Sequence, residues 1–150
     1  MYKRQAYKDK VSTYISSSQE ISEIAKQLIY EVDRRLEKDL YSDWLIMMPT
    51  IKAIVDQGLT EKDLRYLFDN GPRVGMHFVI GSEYSYLGNN INEVPKYLKG
   101  NAQWFMIGMR LMDQMFLDKP YNNREARLAS DEIYLHDRKQ AIKLKITKNG

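Results

Sequence analysis

The sequence predicts an α/β domain: a mostly parallel sheet with helices on both faces and a β-hairpin at the C-terminal end. Three observations carry this. The short runs Trp44-Leu45-Ile46-Met47-Met48, Val74-Gly75-Met76-His77-Phe78-Val79-Ile80 and Trp104-Phe105-Met106-Ile107-Gly108-Met109 are apolar at odd and even positions, as strands covered on both faces are. Between them lie segments with helical spacing, and such alternation implies parallel strands joined by crossovers. Near the end, Glu132-Ile133-Tyr134-Leu135-His136 and Ala141-Ile142-Lys143-Leu144-Lys145-Ile146 flank Asp137-Arg138-Lys139, the spacing of a hairpin.

Residues 1–10 are polar and basic and read as a lead-in to a single domain over 11–150. Val11-Ser12-Thr13-Tyr14-Ile15 alternates like a short strand. Ser17 and Glu20 have the spacing of a capping box, and Ile21, Ile24, Ala25, Leu28, Val32 and Leu36 follow on one helical face. That helix is expected over about residues 18–38. After the run ending at Met48, Ile51, Ile54 and Val55 predict a helical turn closed near Gly58. Thr60 caps a further helix with Leu64, Leu67 and Phe68 inward, ended by Gly71 and Pro72. Residues 84–92, rich in Tyr, Asn and Gly, predict a loop. A short helix spans 92–98, and Leu111 to Leu117 reads as helical.

Composition narrows the function classes. At 150 residues and 43% hydrophobic content, the chain is long enough and apolar enough for one core. A net charge of +3 is too weak to argue for nucleic acid. The absence of cysteine excludes disulfides and thiolate metal sites. No apolar run approaches the ~20 residues of a membrane span. In parallel α/β sheets, ligands bind at the carboxyl ends of strands. Here those ends are Ile15-Ser16-Ser17, Met48-Pro49-Thr50, Ile80-Gly81-Ser82-Glu83 and Met109-Arg110.

Four stretches, taken in order and spacing, resemble the second half of an FtsK/SpoIIIE-type motor ATPase. They are the helix ending Leu28-Ile29-Tyr30-Glu31-Val32-Asp33-Arg34-Arg35, the run Trp44 to Thr50, the stretch Gly71 to Gly81, and Val94-Pro95-Lys96-Tyr97-Leu98-Lys99-Gly100-Asn101 followed by Gly108-Met109-Arg110-Leu111-Met112-Asp113-Gln114. The resemblance is nearest to the C-terminal ATPase domain of the EssC family of bacterial type VII secretion and covers most of residues 11–147. It implies a partial RecA-like fold that lacks the phosphate-loop half. Departures from the family pattern are equally specific. No Gly-x-x-x-x-Gly-Lys-[Ser/Thr] occurs. Pro49 and Thr50 stand where active relatives carry the acidic pair that holds Mg²⁺, and neither bears negative charge. Ser82 and Glu83 stand in place of a Thr-Gln sensor. The family's turn arginine falls on Pro72, with Arg73 one place over.

Individual candidates carry two readings each. Glu83 is the best placed acid, a general base or a cap for the following loop. Tyr84, Tyr86 and Tyr97 are either interface anchors, since tyrosine buries area at low entropic cost, or a lid packed on the sheet. His77 reads as a core histidine and His136 as a surface residue at the hairpin end. The two are too distant in sequence to suggest a metal pair. Asp113 and Asp118 read as surface carboxylates or as contacts to a neighbouring subunit, and Arg124, Glu125 and Arg127 as a solvated connection rather than a phosphate-binding one. Lys143, Lys145 and Lys148 protect a sheet edge.

The resemblance implies a non-catalytic ATPase-like domain on the cytoplasmic side of the bacterial membrane, reaching the membrane only through a parent chain. Its partners would be secreted proteins and neighbouring ATPase domains, not nucleic acid. No metal and no cofactor is expected; ATP–Mg²⁺ belongs only to a complete parental domain. The alternative is a nucleotide-binding or ATP-hydrolysing translocase domain completed by a missing N-terminal phosphate-loop half. An uncovered sheet edge in such a fragment would favour pairing with another chain, so a homo-oligomer is a further expectation.

Overall fold

The computed structural model describes residues 18–38, 42–88, 91–115, 117 and 124–146. The strand expected over 11–15, the cap at Ser17, and Asp118 and Lys148 lie outside them. The chain divides into two compact units, Met1–Gly81 and Ser82–Gly150.

In the first unit, helix α1 spans Ser18–Leu36. Its apolar stripe packs inward as the spacing predicts, with Ala25 and Val32 buried. The last inward position belongs to Arg35 rather than Leu36: Arg35 is 3% exposed and Leu36 is 51% exposed. The Arg35 guanidinium donates from Nη1 to Ser42 O (2.7 Å) and Val74 O (3.0 Å), and from Nε to Glu31 Oε1 (2.7 Å). It lies 4.3 Å from the Trp44 ring centroid. Hydrogen-bonded in this way, a buried cation ties helix to strand, where an unpaired one would be costly.

Strand β1, Trp44–Met48, runs parallel to β2, Met76–Ile80, with Trp44 opposite Met76 and Met48 opposite Ile80. Strand alternation sorts their residues onto two faces. Ile46, Met76 and Phe78 pack with Val32, Leu67 and Val74 into the core. The other face is open, with Leu45 65% and Met47 68% exposed. The expectation of a strand covered on both sides therefore fails for β1. The same alternation exposes His77, which was expected in the core.

Helix α2, Ile51–Asp56, follows β1, and Gly58 closes it at φ 97°. Helix α3, Glu61–Asn70, starts with a full capping box: Asp63 N donates to Thr60 Oγ1 (3.2 Å), and Thr60 N donates to the Asp63 carboxylate (3.3 Å). Leu64 and Leu67 are buried as expected. Gly71 does not take the left-handed cap. The chain tightens into a 3₁₀ turn over Gly71–Val74, and Gly75, at φ 73°, makes the reversal into β2. Proline at the second position of that turn fits its fixed φ.

In the second unit, Tyr84–Leu87 form the single-turn helix α4 in place of the expected loop, and α5 spans Glu93–Asn101. Strand β3, Phe105–Ile107, pairs antiparallel with β4, Glu132–His136, which pairs antiparallel with β5, Ala141–Lys145. The hairpin is as predicted. The mostly parallel sheet is corrected: among the described residues there is one parallel pair and a three-stranded antiparallel sheet. An apolar run does not encode its partner's direction, and β3 is bonded to the strand that the hairpin presents to it.

The helix expected over residues 111–117 is also absent from its described residues. Side chains satisfy its backbone instead. Glu125 accepts from Leu111 N (2.8 Å) and Met112 N (3.0 Å). Gln114, fully buried, donates to Leu117 O (2.9 Å) and accepts from Leu117 N (2.7 Å). Those bonds compete directly with a helical ladder. Phe105, Ile107 and Leu111 form the core of this unit, with Tyr134 and Ala141 against it.

Candidate functional site

The carboxyl end of the parallel pair is where the fold would place chemistry, and it is tightly closed. Gly81 N donates to Met48 O (2.7 Å), and Ile51 N donates to Gly81 O (3.0 Å). A Cβ at position 81 would lie 2.1 Å from Pro49 O and 2.8 Å from Pro49 C. Only glycine admits this approach of two backbones. The bonds seal the exit of β1 against the exit of β2 and fix Pro49 and Thr50 as an exposed step between β1 and α2.

Thr50 is the N-cap of α2, with extended backbone and no side-chain capping bond. The next carboxylate after Thr50 along the chain, Asp56, is paired with Lys52 Nζ at 2.5 Å one helical turn away. The side chains at the strand end are thus a pyrrolidine ring and one neutral hydroxyl. Mg²⁺ is a hard cation that seeks carboxylate oxygens and phosphates, and the end of β1 offers it no carboxylate. Groups of three or more metal-ligating side chains are absent among the described residues.

The chain leaves β2 through Ser82 and Glu83. Ser82 Oγ donates to Glu83 O (3.2 Å). Glu83 is the N-cap of α4 through its backbone: its carbonyl accepts from Tyr86 N and Leu87 N (both 3.1 Å), while its exposed carboxylate makes no capping bond. Tyr84 Oη donates to Asp113 O (3.0 Å), which moors the start of α4. The three tyrosines do not share one environment. Tyr86 is 9% exposed and packs inward, whereas Tyr84 and Tyr97 are half-buried. A single helical turn cannot point residues two apart in the same direction.

Arg110 and Asp113 form a two-pronged pair at 2.8 Å. Glu125, read from sequence as solvated, is half-buried. Its carboxyl sits below the usual carboxylate range because the Leu111 and Met112 amides and the Tyr134 hydroxyl outweigh the opposing cost of desolvation. His136, expected on the surface, is buried, and its Nδ1 accepts from Arg138 N (2.8 Å). Arg138 holds a left-handed backbone (φ 72°) while its guanidinium donates to Lys99 O (2.7 Å) and Ala102 O (2.8 Å) at the end of α5. Cations at helix C-termini meet carbonyls that lack intrahelical partners. Nothing local marks Arg138 or Gln114 in the sequence. Gly81, directly after an apolar run, was the one detectable signal.

No protein-family profile matches the chain. Among curated proteins it is similar to the type VII secretion system protein EssC of Staphylococcus aureus strains NCTC 8325 and Mu50, at 22% identity over 132 residues in each case. Those matches cover 87% of this chain and 9% of the relatives, so it spans about a tenth of their length. Among solved structures it is similar to EssC ATPases 2 and 3 from Geobacillus thermodenitrificans, with a TM-score of 0.73 and 10% identity over 96% of this chain and 29% of that one. It is also similar to a structure of the cytoplasmic domain of EssC, with a TM-score of 0.68 and 11% identity over 97% of this chain and 32% of that one. In sequence and in fold alike, the chain is EssC-like, similar to a segment of that protein's ATPase-domain region.

Proposed function

We propose that this chain is a non-catalytic ATPase-like domain of a type VII secretion motor that recognises secreted proteins or regulates neighbouring ATPase domains. The observation that carries the reading is the end of β1. Pro49 and Thr50 offer no negative charge there, and Gly81 draws the two strand ends together. A scaffold of the FtsK/SpoIIIE, RecA-like type has, on this reading, lost the charges that polarise water and hold Mg²⁺. Regulation needs only a coupling free energy between sites and no local hydrolysis. The domain works at the cytoplasmic face of the membrane, is tethered there by a longer parent, and needs neither nucleic acid nor a bound cofactor.

Partner contact belongs, on this reading, to Tyr84 and Tyr97, which are half-buried; Tyr86, expected to share that surface, is buried. Secreted proteins of the same system serve as the probe in a pull-down and a titration against this chain. Tyr84→Ala combined with Tyr97→Ala should weaken capture about tenfold or more, as loss of aromatic anchors does. Unchanged capture by that double variant would overturn the assignment. Separately, ATP turnover by this chain above a protein-free blank would overturn the non-catalytic reading.

A further inference from the structure

We propose that the outer face of the β3–β4–β5 sheet is a self-association surface, on which a second copy of this chain packs face to face. The pairing register places Met106 opposite Leu135 and Leu135 opposite Ile142, giving one apolar row across all three strands. Ile133 opposite Leu144 makes a second row. Trp104 and Ile146 continue the same alternation just beyond the ends of β3 and β5. These residues do not belong to the core of the unit, which uses Phe105, Ile107 and Tyr134 on the opposite face.

The rows are half-buried at Ile133 and Leu135 on the central strand and open to solvent on either side of it. Met106 is 66%, Trp104 55%, Ile146 51%, Ile142 47% and Leu144 40% exposed. An antiparallel sheet normally turns polar side chains to water on its outer side. Here the ion pairs Lys143–Glu132 (2.8 Å) and Lys145–Asp131 (3.4 Å) gather the charge of β4 and β5 elsewhere, and every strand residue on the outer face is uncharged.

Area and shape select the occupant. The exposed parts of these residues amount to about 600 Å² per copy, so complete mutual burial would remove ~1,200 Å² from water, at the threshold of a specific interface. Two apolar sheets stack about 10 Å apart with interdigitating side chains, and a twofold axis lets one patch serve as its own complement. The face carries no charge, so self-pairing meets no like-charge opposition there. The open face of β1–β2 is a poorer candidate because it is two strands wide and is interrupted by His77.

The test is sedimentation velocity of the whole 150-residue chain from about 1 to about 200 µM, a range that brackets a micromolar dimer. The unsubstituted chain should shift from monomer to dimer. Met106→Lys and Ile142→Lys replace exposed side chains, so far-UV circular dichroism, and the melting temperature taken at about 1 µM where the chain is monomeric, should stay put while the dimerisation constant weakens tenfold or more. Leu45→Lys, on the other sheet, should leave association unchanged. A strict monomer throughout would overturn the proposal and assign the face to a different occupant. So would a dimer indifferent to both lysine substitutions. The proposal is independent of the secretion reading, because Met106→Lys is expected to leave capture of secreted proteins intact.

Discussion

Replacing Gly81 with alanine tests the closure of the candidate site directly. The added Cβ would sit 2.1 Å from Pro49 O, 2.8 Å from Pro49 C and 3.2 Å from Pro49 Cα. All three are backbone atoms, so no side chain can rotate away. To reach van der Waals contact, the end of β2 must withdraw by about 1 Å or more, which stretches both Gly81 N–H to Met48 O (2.7 Å) and Ile51 N–H to Gly81 O (3.0 Å). Two net backbone bonds contribute about 2 kcal/mol, and forced overpacking adds about 1–3 kcal/mol. The expected loss is therefore about 3–5 kcal/mol, a large share of the ~5–15 kcal/mol that holds a typical domain. Urea unfolding followed by tryptophan fluorescence measures it, with Trp44 reporting from β1. Gly100→Ala provides the contrast, since nothing lies within 4 Å of a Cβ there and the residue is in α5. It should stabilise by about 0.5–1 kcal/mol through helix propensity. A loss below about 1 kcal/mol for Gly81→Ala would refute the claim that the strand ends are locked by backbone contact.

Other expectations follow from single contacts. Arg35→Lys keeps the charge but gives up the fork that reaches Glu31, Ser42 and Val74, and should cost about 2–3 kcal/mol in urea unfolding; a change under about 0.5 kcal/mol would contradict the clamp. Glu31 is held at about 2, against an ordinary 4.5, by its hydrogen bonds to Arg34 and then Arg35. A depressed carboxyl stabilises the fold above its unfolded value and loses that contribution as pH falls. Stability should therefore decline between pH 4.5 and about 2, and Glu31→Gln should flatten that part of an acid-unfolding curve. Tyr86→Ala should destabilise by about 3 kcal/mol because the ring is buried, whereas Tyr97→Ala should cost under about 1.5 kcal/mol; equal costs in thermal melts would show that the two tyrosines are not differently placed.

The elements that sequence alone determined are those governed by local physics. Helix α1 follows from its apolar spacing, α3 from Thr60 and Asp63 at its start, and the β4–β5 hairpin from two apolar segments about a short polar turn. The neutral step Pro49-Thr50 was also legible, because it depends on side-chain identity at the end of a recognisable strand. Tertiary structure decided the rest. Direction of pairing is a non-local property, so β3 read as one more parallel strand and became antiparallel. Which face of a strand is covered depends on what packs against it, so His77 and His136 exchanged the environments expected of them, and Leu45, Met47 and Met106 emerged exposed. Burial of Arg35 and Gln114 required backbone partners distant in sequence or a ladder that their own side chains replaced. Local chemistry specifies elements; only the meeting of elements determines which side chains lie between them and which face outward.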